Sequence, residues 1–225
     1  PELYISNSAN NKDIVISDTI SRKNQIPLRN AKDAVLLNNL IEDLSFTECA
    51  DFINNLSLHP MLGYKNSLGQ KIYRYIEQCP KERLINKICY RIRVSTNQKQ
   101  IQYTENEMFE PPYAYPGQNR FSMIGQNPLY LCEKLETALN EASVDHTSKY
   151  TWMKVKIVNA FEMLNITNNE IPLFKSCHRR TEDGNKNMYT EYLVPNYISD
   201  CAKHIGFDGI IYNSVYDCNC KNFVL

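Results

Sequence analysis

The sequence lacks an excess of charge of either sign. Its 225 residues include 25 Lys and Arg and 25 Asp and Glu, so the formal net charge at pH 7 is 0. A protein that binds nucleic acid by displacing counterions, or an anionic membrane surface through a basic cluster, is expected to be strongly basic. The charge balance therefore argues against a nucleic-acid partner and against a membrane partner.

Long apolar runs and glycine-rich loops are also missing. No stretch approaches the roughly 20 apolar residues of a membrane-spanning helix. Only 7 glycines occur, and neither the Gly-x-Gly-x-x-Gly pattern of Rossmann folds nor the Gly-x-x-x-x-Gly-Lys-Ser/Thr pattern of P-loops is found. The chain opens Pro1-Glu2-Leu3 without a basic and apolar leader. We therefore expect no signal peptide and a cytoplasmic site of action. Because the chain begins with Pro1, we also expect that the natural protein has further residues upstream.

The 8 cysteines do not show the paired spacing of a zinc site. Only Cys218-Asn219-Cys220 and the segment from Cys201 to His204 come near it, and neither is a Cys-x-x-Cys pair with a matching second pair. Most of the other cysteines lie alone among apolar residues, as Cys89 does. We expect no metal, and buried free thiols in a reducing compartment rather than a disulfide framework.

The N-terminal part of the chain has the periodicity of helices. Residues 1–28 are polar and rich in Asn and Ser, which predicts a loosely held lead-in. From Pro27 to about Pro80, apolar residues recur at three- and four-residue steps. The predicted helices cover residues 34–44, a segment that ends before His59-Pro60, and residues 64–79.

After Pro80 the pattern changes to short strands and helices. The predicted strands are residues 88–94, 129–132, 150–161, 209–212 and 222–225. The predicted helices are residues 134–142 and 197–205, the second closed by Gly206. Residues 104–128 and 162–195 are predicted to be irregular. The sequence therefore predicts an α+β protein with a helical N-terminal region, residues 1–87, and a mixed β core, residues 88–225.

A few polar residues of the C-terminal half are candidates for chemistry. Arg91 follows Tyr90 on a predicted strand, and Arg120 lies in the glycine-containing loop of residues 117–122. An arginine binds phosphate through parallel hydrogen bonds and stays charged, so two arginines near strand ends suit a phosphate-bearing ligand. Tyr130 is able to stack on a flat ring of such a ligand.

Ordinary structural explanations for the same kinds of residue stay open at this point. Arg91 and Arg93 alternate with apolar residues, as on any solvated strand face. Glu141 ends a predicted helix, where a carboxylate is usually exposed, and Ser214 ends a predicted strand, where a turn residue is common. Composition and spacing alone do not decide between a ligand site and an ordinary surface.

Several blocks, taken in order, resemble one family. They are residues 89–93 (Cys-Tyr-Arg-Ile-Arg), 119–122 (Asn-Arg-Phe-Ser), 128–141 (Pro-Leu-Tyr-Leu-Cys-Glu-Lys-Leu-Glu-Thr-Ala-Leu-Asn-Glu), 206–214 (Gly-Phe-Asp-Gly-Ile-Ile-Tyr-Asn-Ser) and 221–225 (Lys-Asn-Phe-Val-Leu). In this order they resemble the RES domain, named for its Arg, Glu and Ser, over residues 88–225. Asn119 stands where the family usually has Gly, and residues 158–195 contain no block that matches.

The resemblance implies a core similar to that of the ADP-ribosyltransferase toxins and cleavage of the nicotinamide–ribose bond of NAD⁺. NAD⁺ would be the substrate, with no separate cofactor. The positions implied for NAD⁺ binding or catalysis are Tyr90, Arg91, Arg120, Tyr130, Glu141 and Ser214. Arg91 and Arg120 would hold the diphosphate and take part in catalysis with Glu141, which would act at the ribose. Tyr130 would shape the nicotinamide side of the pocket, and Ser214 would orient the ligand or Glu141.

Three interpretations of the resemblance are open. The first is a toxin or effector that depletes cellular NAD⁺ by hydrolysis or by phosphorolysis with inorganic phosphate. Such a protein needs an antitoxin or immunity protein, and it acts in the cytoplasm of its own cell or of a cell into which it is delivered. The second is an ADP-ribosyltransferase that modifies a macromolecular target. The third is an inactive NAD-binding module, against which the retention of all the implied residues argues.

Overall fold

A computed structural model describes residues 4–6, 15–16, 26–27, 46–95, 103–109, 116–178 and 189–225. The helices of these residues are α1 (Phe46–Leu58), α2 (Ser67–Glu77), α3 (Glu105–Met108), α4 (Leu135–Glu141), α5 (Pro172–Lys175) and α6 (Leu193–Ile205). The strands are β1 (Tyr4–Ser6), β2 (Val15–Ile16), β3 (Ile26–Pro27), β4 (Lys81–Leu84), β5 (Lys87–Val94), β6 (Tyr130–Cys132), β7 (Tyr150–Ile157), β8 (Phe161–Asn165), β9 (Gly209–Asn213) and β10 (Lys221–Val224). No helix in this part of the chain is both long enough and apolar enough to cross a bilayer.

A mixed sheet forms the centre of the fold. Within the described residues it has seven strands in the order β4-β8-β9-β10-β6-β5-β7. Among the strands that the structure describes, only β8 and β9 pair in parallel. A parallel pair needs a crossover connection, which here contains α5 and α6. The central strands β9 and β10 are buried along most of their length, whereas the edge strand β7 alternates exposed and half-buried residues. The α+β class predicted from the sequence is confirmed.

Two short connections show that this sheet is strongly curved. Strands β7 and β8 lie five positions apart in the sheet, which is roughly 24 Å for a flat sheet, yet only residues 158–160 join them. Four Cα steps span at most roughly 14 Å. Strands β4 and β5, also near opposite ends, are joined by residues 85–86 alone. The two ends of the sheet must therefore lie close together, and apolar side chains such as Leu131, Ile157 and Phe223 form one buried cluster between the strands.

Helix α6 covers one face of the sheet. Nine of its residues are buried, and it ends at Gly206, whose φ of 96° is the left-handed conformation that glycine adopts readily. The predicted start at Tyr197 is four residues late, because Pro195 lies in the first turn. A proline is tolerated there, since the first-turn N–H groups have no helical acceptor.

The N-terminal helices pack into the same core as α6. The rings of Phe52 and Tyr197 meet edge to face with centroids 5.3 Å apart, and the Tyr197 hydroxyl donates to the carbonyl oxygen of Gly69 at 2.9 Å. The 3-10 helix Pro60–Lys65 packs so closely on α2 that a Cβ on Gly69 of α2 would lie 2.1 Å from the carbonyl oxygen of Gly63. The described helices of the N-terminal region thus share buried surface with the C-terminal half.

Several sequence-based boundaries are wrong. The single strand predicted over residues 150–161 is two strands, because the chain turns at the exposed Val158. The segment 162–195 is not wholly irregular, since it contains most of β8, all of α5 and the start of α6. Strand β4 was not predicted, because its sequence Lys-Glu-Arg-Leu has one buried residue and no alternation. The lead-in contains the paired strands β1, β2 and β3. The helix predicted over residues 34–44 lies outside the described residues.

Candidate active site

A cleft of about 400 Å³ opens beside strand β5. Strand β5 pairs with β7 along its whole length but with β6 only at Tyr90 opposite Cys132. Among the described residues these two strands form no second pair, and the cleft is lined by residues of both strands. Neighbouring residues of a strand point to opposite faces, yet Tyr90 and Arg91 both line the cleft because it opens between strands. The predicted site residues that line it are Tyr90, Arg91, Arg120, Tyr130 and Glu141.

Glu141 enters the cleft from the C-terminal end of α4. Its Oε1 accepts a hydrogen bond of 2.6 Å from the Ser214 hydroxyl and one of 2.8 Å from Nδ2 of Asn222. Ser214 is buried and follows β9 directly, so it reaches Glu141 from a different element. The structure therefore places the predicted Ser214 against Glu141 rather than on the wall of the cleft.

Ser214 is itself held in one orientation. Its Oγ accepts hydrogen bonds from the backbone N–H of Tyr216 at 3.0 Å and of Asp217 at 3.4 Å. A hydroxyl has one hydrogen to donate and two lone pairs. Because both backbone donors point at the lone pairs, the hydrogen is directed to Glu141.

Arg120 lies at the tip of a tight turn. The backbone of Asn119 and Ser122 makes two reciprocal hydrogen bonds of 3.0 and 3.3 Å across this turn. Nη1 of Arg120 donates to the carbonyl oxygen of Cys177 at 2.7 Å, and its guanidinium carbon lies 5.4 Å from the ring centroid of Tyr192. The φ angle of Asn119 is not positive, so the turn does not require the glycine that is usual in the RES domain.

One buried amide from α6 holds the Arg120 turn. Nδ2 of Asn196 donates to the carbonyl oxygens of Asn119 at 2.7 Å and Arg120 at 2.8 Å. Its Oδ1 accepts from Nε2 of Gln118 at 3.1 Å, and Oε1 of Gln118 accepts from the backbone N–H of Tyr189 at 2.7 Å. Asn196 is only 2% exposed. The sequence did not indicate Asn196, because none of the blocks that resemble the RES domain includes it.

Tyr130 does more in the structure than line the cleft. Its hydroxyl oxygen accepts a hydrogen bond of 3.1 Å from the backbone N–H of Phe121, which adjoins Arg120. Burial raises the pKa of Tyr130 to about 12, so the phenol is neutral at physiological pH. Its backbone carbonyl oxygen accepts from Nη1 of Arg91 at 2.9 Å. Tyr130 thereby contacts the surroundings of both predicted arginines.

The phenol of Tyr212, which lines the cleft, and the imidazole of His178 are held neutral. Burial raises the pKa of Tyr212 well above its usual range, and its ring lies 4.8 Å from that of Phe121. Burial, followed by the charge of Arg120, lowers the pKa of His178 to about 4. Nε2 of His178 accepts from the backbone N–H of Asn213 at 3.1 Å. The charged groups that line the cleft are therefore Arg91, Arg120 and Glu141.

The charge pattern of the cleft suits an anionic ligand with a cationic reacting centre. Two guanidinium groups bind phosphate oxygens, and one carboxylate stabilises positive charge that develops beside it. In the part of the chain that the structure describes, no three His, Cys, Asp or Glu side chains group closely enough to hold a metal ion. Each of the eight cysteines lies in that part and is a free thiol, and six of them are buried.

Sequence reasoning did not identify Asn222, Asn196, Cys177 or Tyr192. Asn222 lies in the last of the blocks that resemble the RES domain, so its place in that block was the available signal. The contact of Cys177 with Arg120 is made by a backbone carbonyl oxygen, which any residue would supply. Asn196 and Tyr192 lie about 75 residues from Arg120 along the chain, and no local pattern links such distant positions.

A family model matches the part of the chain that lines the cleft. The model of the RES domain matches residues 88–225, which is more than half of the chain and includes all six predicted site residues. The search of curated proteins finds no match. RES domains have an ADP-ribosyltransferase-like fold and are generally NAD⁺-related toxin modules associated with toxin–antitoxin systems. Because this match covers more than half of the chain, the chain belongs to the RES domain family.

Proposed function

We propose that this protein cleaves the nicotinamide–ribose bond of NAD⁺, as an NAD⁺ glycohydrolase or an NAD⁺ phosphorylase, and so depletes cellular NAD⁺. The observation that carries the proposal is the cleft in which the fixed carboxylate of Glu141 lies with Arg91 and Arg120. Membership of the RES domain family supports the choice of NAD⁺. NAD⁺ is the substrate in this proposal, and no resident cofactor is required.

The chemistry of the bond explains why one carboxylate is sufficient. Cleavage at the anomeric carbon passes through an oxocarbenium-like state with positive charge on the ribose, as in glycoside hydrolysis. Nicotinamide leaves as a neutral ring, so its departure needs no general acid. Glu141 stabilises the ribose charge and accepts a hydrogen bond from a ribose hydroxyl. Its carboxylate is available at a fixed orientation because Ser214 and Asn222 hold one of its oxygens.

The arginines act at a distance from the reacting bond. Arg91 and Arg120 bind the diphosphate, and this binding energy positions the ribose against Glu141. Both guanidinium groups already donate to a backbone carbonyl oxygen, which orients them before the substrate arrives. Tyr90 and Tyr130 form the wall for the nicotinamide side, where aromatic rings accept a flat cationic ring.

The biological setting belongs to the same proposal. An enzyme that destroys NAD⁺ harms its own cell, so it requires a restraining antitoxin or immunity protein. Its site of action is the cytoplasm, either of the producing cell or of a cell into which the protein is delivered. Water or inorganic phosphate is the acceptor, and the proposal includes no nucleic-acid partner and no membrane partner.

The experiment is an incubation of the purified protein with NAD⁺, with and without inorganic phosphate, followed by mass spectrometry of the products. Nicotinamide with ADP-ribose shows hydrolysis, and nicotinamide with ADP-ribose 1″-phosphate shows phosphorolysis. Intact NAD⁺ in both tubes contradicts the proposal. Release of nicotinamide only when a protein or nucleic acid is added, with ADP-ribose found on that molecule, replaces it with the ADP-ribosyltransferase alternative.

A further inference from the structure

Asn222 occupies a position that would ordinarily hold an apolar residue. It lies on the central strand β10, where its backbone is opposite Tyr212 on one side and Cys132 on the other. Its side chain is 3% exposed, and the next two residues, Phe223 and Val224, are buried apolar residues. Burying an amide is unfavourable unless its polar atoms are hydrogen-bonded. The presence of Asn at this position therefore needs a specific reason.

Of the two polar atoms of the Asn222 amide, only the nitrogen has a hydrogen-bond partner among the described residues. Nδ2 donates to Oε1 of Glu141 at 2.8 Å, whereas Oδ1 is buried and has no hydrogen-bond partner among the described residues. The opposite orientation of the amide would place its oxygen against the carboxylate, so the donor must face Glu141. A buried amide that leaves one atom unsatisfied lowers stability. Among the described residues, the hydrogen bond to Glu141 is the side-chain contact that accounts for an amide at this position.

Two donors converge on a single oxygen of Glu141. Ser214 and Asn222 both donate to Oε1, from the end of β9 and from β10. Rotation about the last side-chain bond of a glutamate is otherwise loosely restricted. Two donors from different elements fix the plane of the carboxylate, and Oε2 is the oxygen left for a ligand in the cleft.

We infer that Asn222 is a positioning residue for catalysis: it fixes the rotation of the Glu141 carboxylate and so presents Oε2 to a hydroxyl of the substrate ribose. This inference rests on the proposed cleavage of NAD⁺. Both donors are needed, because Ser214 alone would leave the Glu141 carboxylate free to rotate about a single hydrogen bond. Loss of the amide therefore affects the rate of the bond-breaking step more than the binding of NAD⁺.

Two substitutions test this role in the full chain. Asn222→Leu removes the amide at similar volume and also removes the unsatisfied Oδ1. We expect kcat to fall about 10- to 100-fold, as for a misplaced catalytic group, while KM changes less than about threefold and Tm is kept or raised. A residue that serves only to hold the strand would instead lower Tm and leave kcat per folded molecule unchanged.

Asn222→Asp supplies a second readout. It keeps the shape of the side chain but puts a carboxylate oxygen where the amide now lies 2.8 Å from Glu141. Two carboxyl groups this close do not both ionise readily, and they titrate as a pair. We expect the acid limb of the kcat profile to move to higher pH by about one unit or more. The matched control is Asn55→Leu, which changes a half-buried amide on α1 outside the cleft and should leave kcat and the pH profile unchanged.

A measurement without NAD⁺ separates this inference from the proposed function. Titration of the side-chain carboxyl carbons of ¹³C-labelled glutamate by NMR follows Glu141 in the free protein, with Glu141→Gln used to assign its signal. A higher apparent pKa of this carboxyl in Asn222→Asp than in the wild type supports the contact between residues 222 and 141 on which the inference rests, whether or not the wild type consumes NAD⁺. An unchanged titration, or wild-type kcat in Asn222→Leu, overturns it.

Discussion

Replacing Glu141 with glutamine should abolish most of the activity and leave the fold intact. The substitution keeps the length and shape of the side chain. The amide oxygen of glutamine still accepts from the Ser214 hydroxyl and from Asn222 Nδ2, which now donate to Oε1. What is lost is the negative charge in the cleft. The variant therefore isolates the electrostatic contribution of Glu141 from its contribution to packing.

The expected size of the effect follows from the charge interaction. A unit positive charge about 4 Å from the carboxylate interacts with it by about 4 kcal/mol at an effective dielectric constant of about 20. The ribose develops only part of a full charge and the cleft is open to solvent, so about 3 to 4 kcal/mol is lost. Each 1.36 kcal/mol is a factor of ten in rate, so kcat should fall between about 100-fold and 1,000-fold. NAD⁺ binding should change little, because the arginines that bind the diphosphate are untouched.

The assay is the release of nicotinamide at saturating NAD⁺, measured by chromatography, together with Tm for each protein. The matched control is Glu136→Gln, which removes a carboxylate from the exposed side of the same helix and should leave kcat unchanged. A Glu141→Gln protein that turns over NAD⁺ within threefold of the wild type, with an unchanged Tm, would refute the electrostatic role assigned to Glu141.

Three further predictions concern binding, packing and pH. Arg120→Ala should lower kcat/KM for NAD⁺ by about 10- to 100-fold in total, through a higher KM and a lower kcat, because a charge-assisted hydrogen bond contributes about 1.5 to 3 kcal/mol; Arg120→Lys should recover only part of this, and full activity in Arg120→Ala would contradict it. Phe52→Ala should lower the free energy of unfolding by about 3 to 5 kcal/mol, measured by denaturant titration, because Phe52 is 0% exposed; a loss below about 1 kcal/mol would mean that α1 is not part of the core. Burial, with the charge of Arg120 as the second cause, lowers the pKa of His178 to about 4, below its value of about 6.5 in the unfolded chain. The unfolded state therefore binds the proton more readily, and His178 removes up to about 3 kcal/mol of stability as pH falls from about 6.5 to about 4. The variant His178→Gln, compared by Tm across this range, should lose less stability on acidification than the wild type, and equal losses would contradict this cause.

Local sequence pattern predicted the elements that carry the candidate site. Strand β5 alternates apolar and polar residues, and helix α4 places apolar residues on one face, so both were predicted within one or two residues of their observed bounds. The glycine at the end of α6 was predicted because a left-handed residue is needed to close a helix. The resemblance of several sequence blocks to the RES domain then indicated Arg91 on β5, Glu141 on α4 and Arg120 in the loop before β6. The sequence pattern did not predict that these residues line one cleft; the structure shows it.

The remaining features depend on contacts between distant parts of the chain. Strand β4 is mostly exposed and exists because β8, about 80 residues away, supplies its hydrogen-bond partners. The orientation of Arg120 depends on a backbone carbonyl oxygen at Cys177 and on the amide of Asn196. A backbone carbonyl oxygen is present at every residue, so the sequence does not indicate which one accepts a hydrogen bond. A single asparagine in a helix gives no indication in the sequence that it is buried. These contacts are set by the packing of α6 on the sheet, which periodicity does not describe.

Helix α6 joins the N-terminal helices to the candidate site through two adjacent residues. Tyr197 faces the helices, since its ring meets Phe52 and its hydroxyl donates to Gly69. Asn196, one residue earlier, holds the turn that carries Arg120. Adjacent helical residues lie about 100° apart around the axis, so both contacts are made at one level of the helix. A shift of α6 large enough to accommodate a change in α1 or α2 must therefore move the Asn196 amide as well, and with it the guanidinium group of Arg120.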